Sequence, residues 1–157
     1  MDHKIEAYLS NVLNVITAGT VITLSLLVES RFLLDRKIAK FLGLFIIFIG
    51  MVFAFLAIIH IKGGIFGMVR PRLDVLVKEG PYKFIRHPYY LGITIILIGV
   101  TVTLRSWIGL KMSILLFLPS VIYRAKLEEN ALACKFGAEW KNYTSSTGFI
   151  LPFTKKR

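Results

Sequence analysis

Two short polar clusters hold most of the side chains that could do chemistry. The first is Gly80-Pro-Tyr-Lys-Phe-Ile-Arg-His-Pro-Tyr-Tyr90. Gly80-Pro81 marks a turn, and Pro88 pushes His87 out of helical geometry. Pro88 itself suits the first turn of a helix. His87 is therefore expected at the mouth of a helix N-terminus, where free backbone N–H groups and the helix dipole favour an anion. The second cluster is Arg124-Ala-Lys-Leu-Glu128-Glu129. Arg124 and Glu128 are four apart and share a helix face, offering one cation for an anionic substrate and one carboxylate for a cationic cofactor. Each cluster also has an ordinary explanation. The first could be a juxtamembrane anchor, and the second an exposed ion pair worth only tenths of a kcal/mol.

The elements that must position these residues are apolar. Tyr8–Val28, Phe41–Ile61, Tyr89–Leu104 and Trp107–Tyr123 total 75 residues and contain one formal charge, Lys111. The other 28 charged residues fall in the remaining 82 positions. Such segregation points to a bilayer rather than to a water-solvated core, and the mean hydropathy of +0.68 agrees. The expectation is an all-α, polytopic membrane protein with four transmembrane helices, in one membrane domain spanning 1–157. Within it, 1–61 forms an N-terminal two-helix hairpin, and 62–157 a half with a polar loop, a short helical hairpin and a C-terminal helix. The first span carries Asn11, Asn14, Thr17, Thr20 and Thr23, polar groups that seek helix neighbours rather than lipid. The third and fourth spans have 16 and 17 residues with only Arg105-Ser106 between them, which predicts a tight antiparallel hairpin.

With four crossings, the N-terminus, the Lys62–Pro88 loop and the tail after Tyr123 share one side. That side holds fourteen Lys and Arg residues against six on the other. The positive-inside rule puts it in the cytoplasm, and both polar clusters with it. In the tail, Leu132, Phe136, Trp140 and Tyr143 recur at steps of four, four and three. This predicts an amphipathic helix continuing out of the fourth span, with a bend or break at Gly137.

Several function classes drop out. No stretch has room for a separate soluble cofactor domain. Cys134, the single cysteine, excludes an internal disulfide framework and a cysteine-based zinc site, while His3 and His60 have no partners at metal-ligand spacing. The net charge of +11 needs no nucleic acid, because juxtamembrane Lys and Arg facing anionic headgroups account for it.

Taken together, Leu76-Val-Lys-Glu-Gly-Pro-Tyr-Lys-Phe-Ile-Arg-His-Pro-Tyr-Tyr90 and Glu128-Glu-Asn-Ala-Leu-Ala-Cys-Lys-Phe-Gly-Ala-Glu-Trp-Lys-Asn-Tyr143, closed by Leu151-Pro152-Phe153, resemble the isoprenylcysteine carboxyl methyltransferase family. These are integral membrane enzymes that use S-adenosylmethionine and are related to phospholipid methyltransferases. The resemblance covers about Leu76 to Phe153, and the first two spans match only in being apolar. It implies a cofactor pocket lined by Asp74, Val75, Leu76, Val77, Tyr82, His87, Pro88, Tyr89 and Tyr90, completed by Glu128. It also implies that Arg124 lies near the carboxylate of a lipophilic acceptor, prenylated or not, either a small molecule or a protein C-terminus. Trp140 stands where a tyrosine is more usual.

The implied chemistry suits these residues. Methyl transfer is an in-line displacement from a sulfonium cation. A carboxylate acceptor is already ionised and needs no general base. Opposite charges cancel toward the transition state, so a partly dehydrated interfacial pocket helps, and alignment supplies most of the acceleration. Three other readings stand beside this one, among them a non-catalytic membrane scaffold in which neither cluster binds anything. A methyltransferase acting on a phospholipid amine or a small thiol would want a base. A sterol-type membrane reductase, similar in its Arg-His-Pro turn, would bind NADPH, whose phosphate the Glu128-Glu129 pair would repel.

Overall fold

A computed structural model describes residues 3–61 and 75–152. The described chain is helical: α1 (His3–Leu27), α2 (Arg36–Ile61), a 3-10 turn (Gly80–Lys83), α3 (Pro88–Thr103), α4 (Trp107–Met112), a π-helical turn (Ser113–Phe117) and α5 (Leu118–Ser146). Three helical stretches are long and apolar enough to cross a membrane: Ile5–Leu27, Arg36–Ile61 and Trp107–Ser146. The fourth apolar helix, Pro88–Thr103, is shorter.

Although consecutive, α1 and α2 do not pack along each other. α2 lies along α3, and α1 lies against α4 and α5. The cause is a seam of small residues. Gly43, Gly50 and Ala57 recur every seven positions on α2, as do Gly92 and Gly99 on α3. Here the two backbones meet: a Cβ at Gly92 would run into the backbone of Gly50 and Ala54. Close approach of this kind is what holds helices together in lipid, where apolar side chains gain nothing by leaving the acyl chains. The outer face of α2 presents Phe41, Phe45, Phe48 and Phe55 outward.

α1 turns Ala7, Ser10, Thr17, Val21 and Ser25 inward. Thr17 Oγ1 meets Ser120 Oγ of α5 at 3.0 Å, so at least this polar residue of the first span does find a helix neighbour. The π-helical turn sits just before Pro119. A proline lacks the N–H for an α-helical bond and clashes with the carbonyl four residues back. The wider turn absorbs that residue, with Leu118 N–H bonded to Ser113 O. Beyond it α5 continues unbroken to Gly137, which adopts φ 49° and ψ −116°. The expected break is at that position.

The two connections at one end of the bundle are stitched together. Phe32 N–H donates to Arg105 O at 2.7 Å and Trp107 N–H to Ser30 O at 2.8 Å. Arg31 Nη1 reaches Leu104 O at 2.6 Å. This leaves the start of α3, the 75–87 strap and the second half of α5 together at the opposite end.

Candidate active site

The strap turns into α3 at His87, the residue before its first turn, with φ −125° and ψ 56°. No side chain caps this helix. Pro88 has no N–H, and among the described residues no side chain caps the N–H groups of Tyr89 and Tyr90, which leaves the start of α3 electropositive. His87 is thus non-helical, as expected for the residue before a proline, and its side chain is buried.

α5 supplies the other wall. Consecutive residues on a helix point about 100° apart, so Glu128 and Glu129 serve different partners. Glu128 Oε1 accepts from the Tyr90 hydroxyl at 2.6 Å and lies 3.5 Å from Arg124 Nε. Its Oε2 is 3.9 Å from His87 Nδ1. Glu129 Oε1 accepts from Arg86 Nε at 2.6 Å and lies 3.4 Å from His87 Nε2. That last approach is close but misaligned, and His87 Nε2 is buried without a hydrogen bond. The imidazole therefore stands between two carboxylates, satisfied by neither.

Arg124 is no exposed ion-pair partner. It is 3% exposed and works as a junction. Its Nη1 donates to Ala7 O at 2.6 Å and to Ser10 Oγ at 2.9 Å on α1. Its Nε donates to the Tyr90 hydroxyl at 3.2 Å. One guanidinium thus ties α1, α3 and α5 together and holds the Tyr90–Glu128 pair from behind.

Electrostatics follow from this packing. Burial alone would push Glu129 up, but the adjacent His87 ring and the Arg86 guanidinium outweigh it and hold its carboxyl below the usual carboxylate range. Burial pushes the Tyr82 phenol far above its ordinary value, and the Glu128 charge adds to the effect. Tyr82 therefore stays a neutral donor within the field of Glu128.

The residues singled out in the sequence separate into two groups. His87, Pro88, Tyr89, Tyr90, Arg124 and Glu128 converge at the start of α3, with Tyr82 in range of Glu128. Leu76 is instead spent on packing against Trp140 and Tyr143 of α5, with Leu132 and Phe136 alongside. Val75 is 73% exposed, and Val77 is half-buried. Asp74 and Phe153 lie outside the described residues.

Two contributors had no role assigned from sequence. Arg86, besides Glu129, donates through Nη1 to Thr147 O at 2.6 Å and Thr144 O at 3.3 Å, which closes the end of α5. Phe149 packs edge-on to the His87 ring, with centroids 5.0 Å apart. The contacts bringing both together span more than 40 residues of chain, so no local pattern announced them.

The donor set suits a zwitterion. Two backbone N–H groups without a partner among the described residues and the His87 imidazole could receive an anionic group, and the partly exposed Glu128 carboxylate beside them a cationic one. Among the described residues, no group of three or more metal-ligating side chains occurs.

Comparison with known proteins agrees with this geometry. The phospholipid methyltransferase family model matches residues 38–139. The chain is 29% identical to protein-S-isoprenylcysteine O-methyltransferase of Saccharomyces cerevisiae over 164 aligned residues, covering 96% of this chain and 68% of the yeast protein. With the matched segment running from α2 into α5, across both walls of the site, this chain belongs to the phospholipid methyltransferase family and is an integral membrane methyltransferase.

Proposed function

We propose that the protein uses S-adenosylmethionine to methylate the carboxylate of an isoprenylcysteine-like lipid substrate. The observation that carries this reading is the pairing, in one site, of an uncapped helix N-terminus and a His87 without an aligned hydrogen bond with the partly exposed carboxylate of Glu128. The cofactor's methionyl group has the matching shape: a carboxylate for His87 and the Tyr89 and Tyr90 N–H groups, and an ammonium for Glu128. Bound there, the sulfonium supplies an electrophilic methyl. A carboxylate oxygen takes it in line, the C–S electron pair stays on sulfur, and a neutral ester and thioether result.

The chain's own residues bind and align. Tyr90 and Arg124 hold Glu128 in one rotamer, and the Arg124 charge favours a carboxylate acceptor over a cationic amine. Tyr82 presents a neutral phenol to the same pocket, and the resemblance adds Asp74, Val75, Leu76 and Val77 to its lining. Pro88 starts α3 without a competing N–H. α1, α2, α3 and the stretch from Trp107 to about Tyr123 make four crossings, with α3 embedded between its neighbours. The second half of α5 is an amphipathic helix at the cytoplasmic interface. The excess of Lys and Arg on the side of the site supports a cytoplasmic mouth, from which a water-soluble cofactor enters while the lipid arrives through the bilayer.

Calorimetric titration of purified protein with S-adenosylmethionine and separately with NADPH tests the cofactor. His87→Ala and Glu128→Ala are each expected to abolish saturable S-adenosylmethionine binding. Transfer of labelled methyl to N-acetyl-S-farnesylcysteine tests the acceptor. Binding of NADPH alone would overturn the reading in favour of a reductase. Turnover on a phosphatidylethanolamine but not on the farnesylcysteine would move the acceptor from carboxylate to amine.

A further inference from the structure

Among the described residues, no aligned hydrogen bond holds the His87 ring. Nε2 is buried 3.4 Å from Glu129 Oε1, and Nδ1 is 3.9 Å from Glu128 Oε2. His87 also makes no capping bond to its own helix. The two carboxylates attract the imidazole from either side without an aligned bond, so its direction also depends on ring packing. Two rings touch it. Tyr90, 5.6 Å away and tilted by 38°, is already engaged through its hydroxyl. The other is Phe149, 5.0 Å away at 70°, an edge-to-face contact.

Phe149 also grips the backbone. The segment after α5 runs alongside the strap as a short parallel bridge between Ile85 and Gly148. Gly148 N–H donates to Phe84 O at 3.0 Å, Arg86 N–H to Gly148 O at 2.9 Å, and His87 N–H to Phe149 O at 3.2 Å. Arg86 locks the segment from the other side. Its guanidinium bonds Thr147 O and Glu129 and lies 5.7 Å from the Phe149 ring centroid. Thr147 is 4% exposed. One residue thus holds His87 by its amide and by its ring, and a partly buried charge network holds that residue.

We infer that Phe149 is a positioning residue for cofactor binding. It fixes the imidazole of His87 in the orientation that receives the cofactor's anionic end, and the 147–149 segment is a built part of that site. The inference rests on the role given to His87 above. Phe149 touches His87 and not the acceptor, so its loss weakens cofactor affinity and leaves the acceptor KM alone.

The experiment is a double-mutant cycle on the full-length protein in detergent, read by S-adenosylmethionine titration and by the two KM values. Phe149→Leu and Phe149→Met remove the ring while keeping bulk, and Phe149→Tyr keeps it. An edge-to-face pair of this size predicts about a three- to tenfold loss of cofactor affinity in the first two, with near wild-type binding in Phe149→Tyr and an unchanged acceptor KM. A partial-loss substitution, His87→Gln, serves as the second arm. In that background Phe149→Met should cost nothing further, because Phe149 acts through the ring that is gone. Additive losses in the cycle, an equal rise in both KM values, or wild-type affinity in both ring-less variants would overturn the inference while leaving the His87 role intact. Wild-type cofactor binding in His87→Ala would overturn both. Should Phe149→Leu fail to fold, Phe149→Met carries the same comparison.

Discussion

Removing one oxygen atom tests the proposed site most cleanly. Tyr90→Phe deletes the hydroxyl that donates to Glu128 Oε1 at 2.6 Å and accepts from Arg124 Nε at 3.2 Å. The ring itself stays in a core with Val21, Leu97, Phe117, Val121 and Ala125, so no cavity larger than a hydroxyl forms. A hydrogen bond to a charged group contributes about 1.5–3 kcal/mol net. Two features pull the loss toward the lower end. The Glu128 side chain is 28% exposed, so water can replace the lost donor, and Arg124 Nε is already 3.5 Å from Oε1 and can close the gap. The expected loss of stability is about 1–2 kcal/mol. Released from Tyr90, Glu128 samples more rotamers, and the cofactor's cationic end should bind about three- to tenfold more weakly, equivalent to roughly 0.7–1.4 kcal/mol. The assay is thermal unfolding and cofactor titration on the same detergent preparation. Tyr89→Phe is the control, since Tyr89 is only partly buried and, among the described residues, its hydroxyl makes no bond to Glu128. Matching midpoints and affinities for the two variants would refute the claim that Tyr90 holds Glu128.

Three further outcomes are expected. Glu129 has a folded-state pKa below its unfolded value, so the unfolded chain binds the extra proton. Its stabilisation is full above the usual carboxylate range and is lost as pH falls through the depressed value. Melting midpoints from neutral to acid pH should therefore fall less steeply in Glu129→Gln, and parallel curves would contradict this. Gly92→Val should separate α2 from α3 and cost about 1–3 kcal/mol, because its Cβ meets backbone on both sides. Gly19→Ala, with nothing within 4 Å, should instead stabilise by up to about 1 kcal/mol, and equal unfolding midpoints for the pair would sink the seam argument. A cycle of Thr17→Val and Ser120→Ala, read by unfolding in detergent or bicelles, should give a coupling near 0.6 kcal/mol. Strict additivity would mean their contact at 3.0 Å contributes nothing.

The apolar helices and the start of α3 were legible in the chain because their causes are local. Hydrocarbon excludes charge, so the spans appear as gaps in the Lys, Arg, Asp and Glu pattern, and α1, α2 and α3 begin and end within a few residues of those gaps. Proline chemistry is also local, which is why Pro88 marked both the non-helical His87 and the first turn of α3. Arg124 and Glu128 share a face by helix geometry alone. Their surroundings do not follow from it. An i,i+4 pair reads the same in sequence whether it faces water or, as here, has its arginine buried against Ala7 and Ser10 from the far end of the chain. The partnership of α1 with α5 rather than α2 depends on which small residues let two backbones touch. Phe149 shows the limit most plainly. Nothing in its neighbourhood distinguishes it from any aromatic near a membrane surface, and only the fold lays it against His87, 62 positions earlier. The sequence alone determined the helices and the chemistry available at their ends. Which groups are buried, paired or left without an aligned partner was decided by tertiary packing, because desolvation and long-range contact have no local signature.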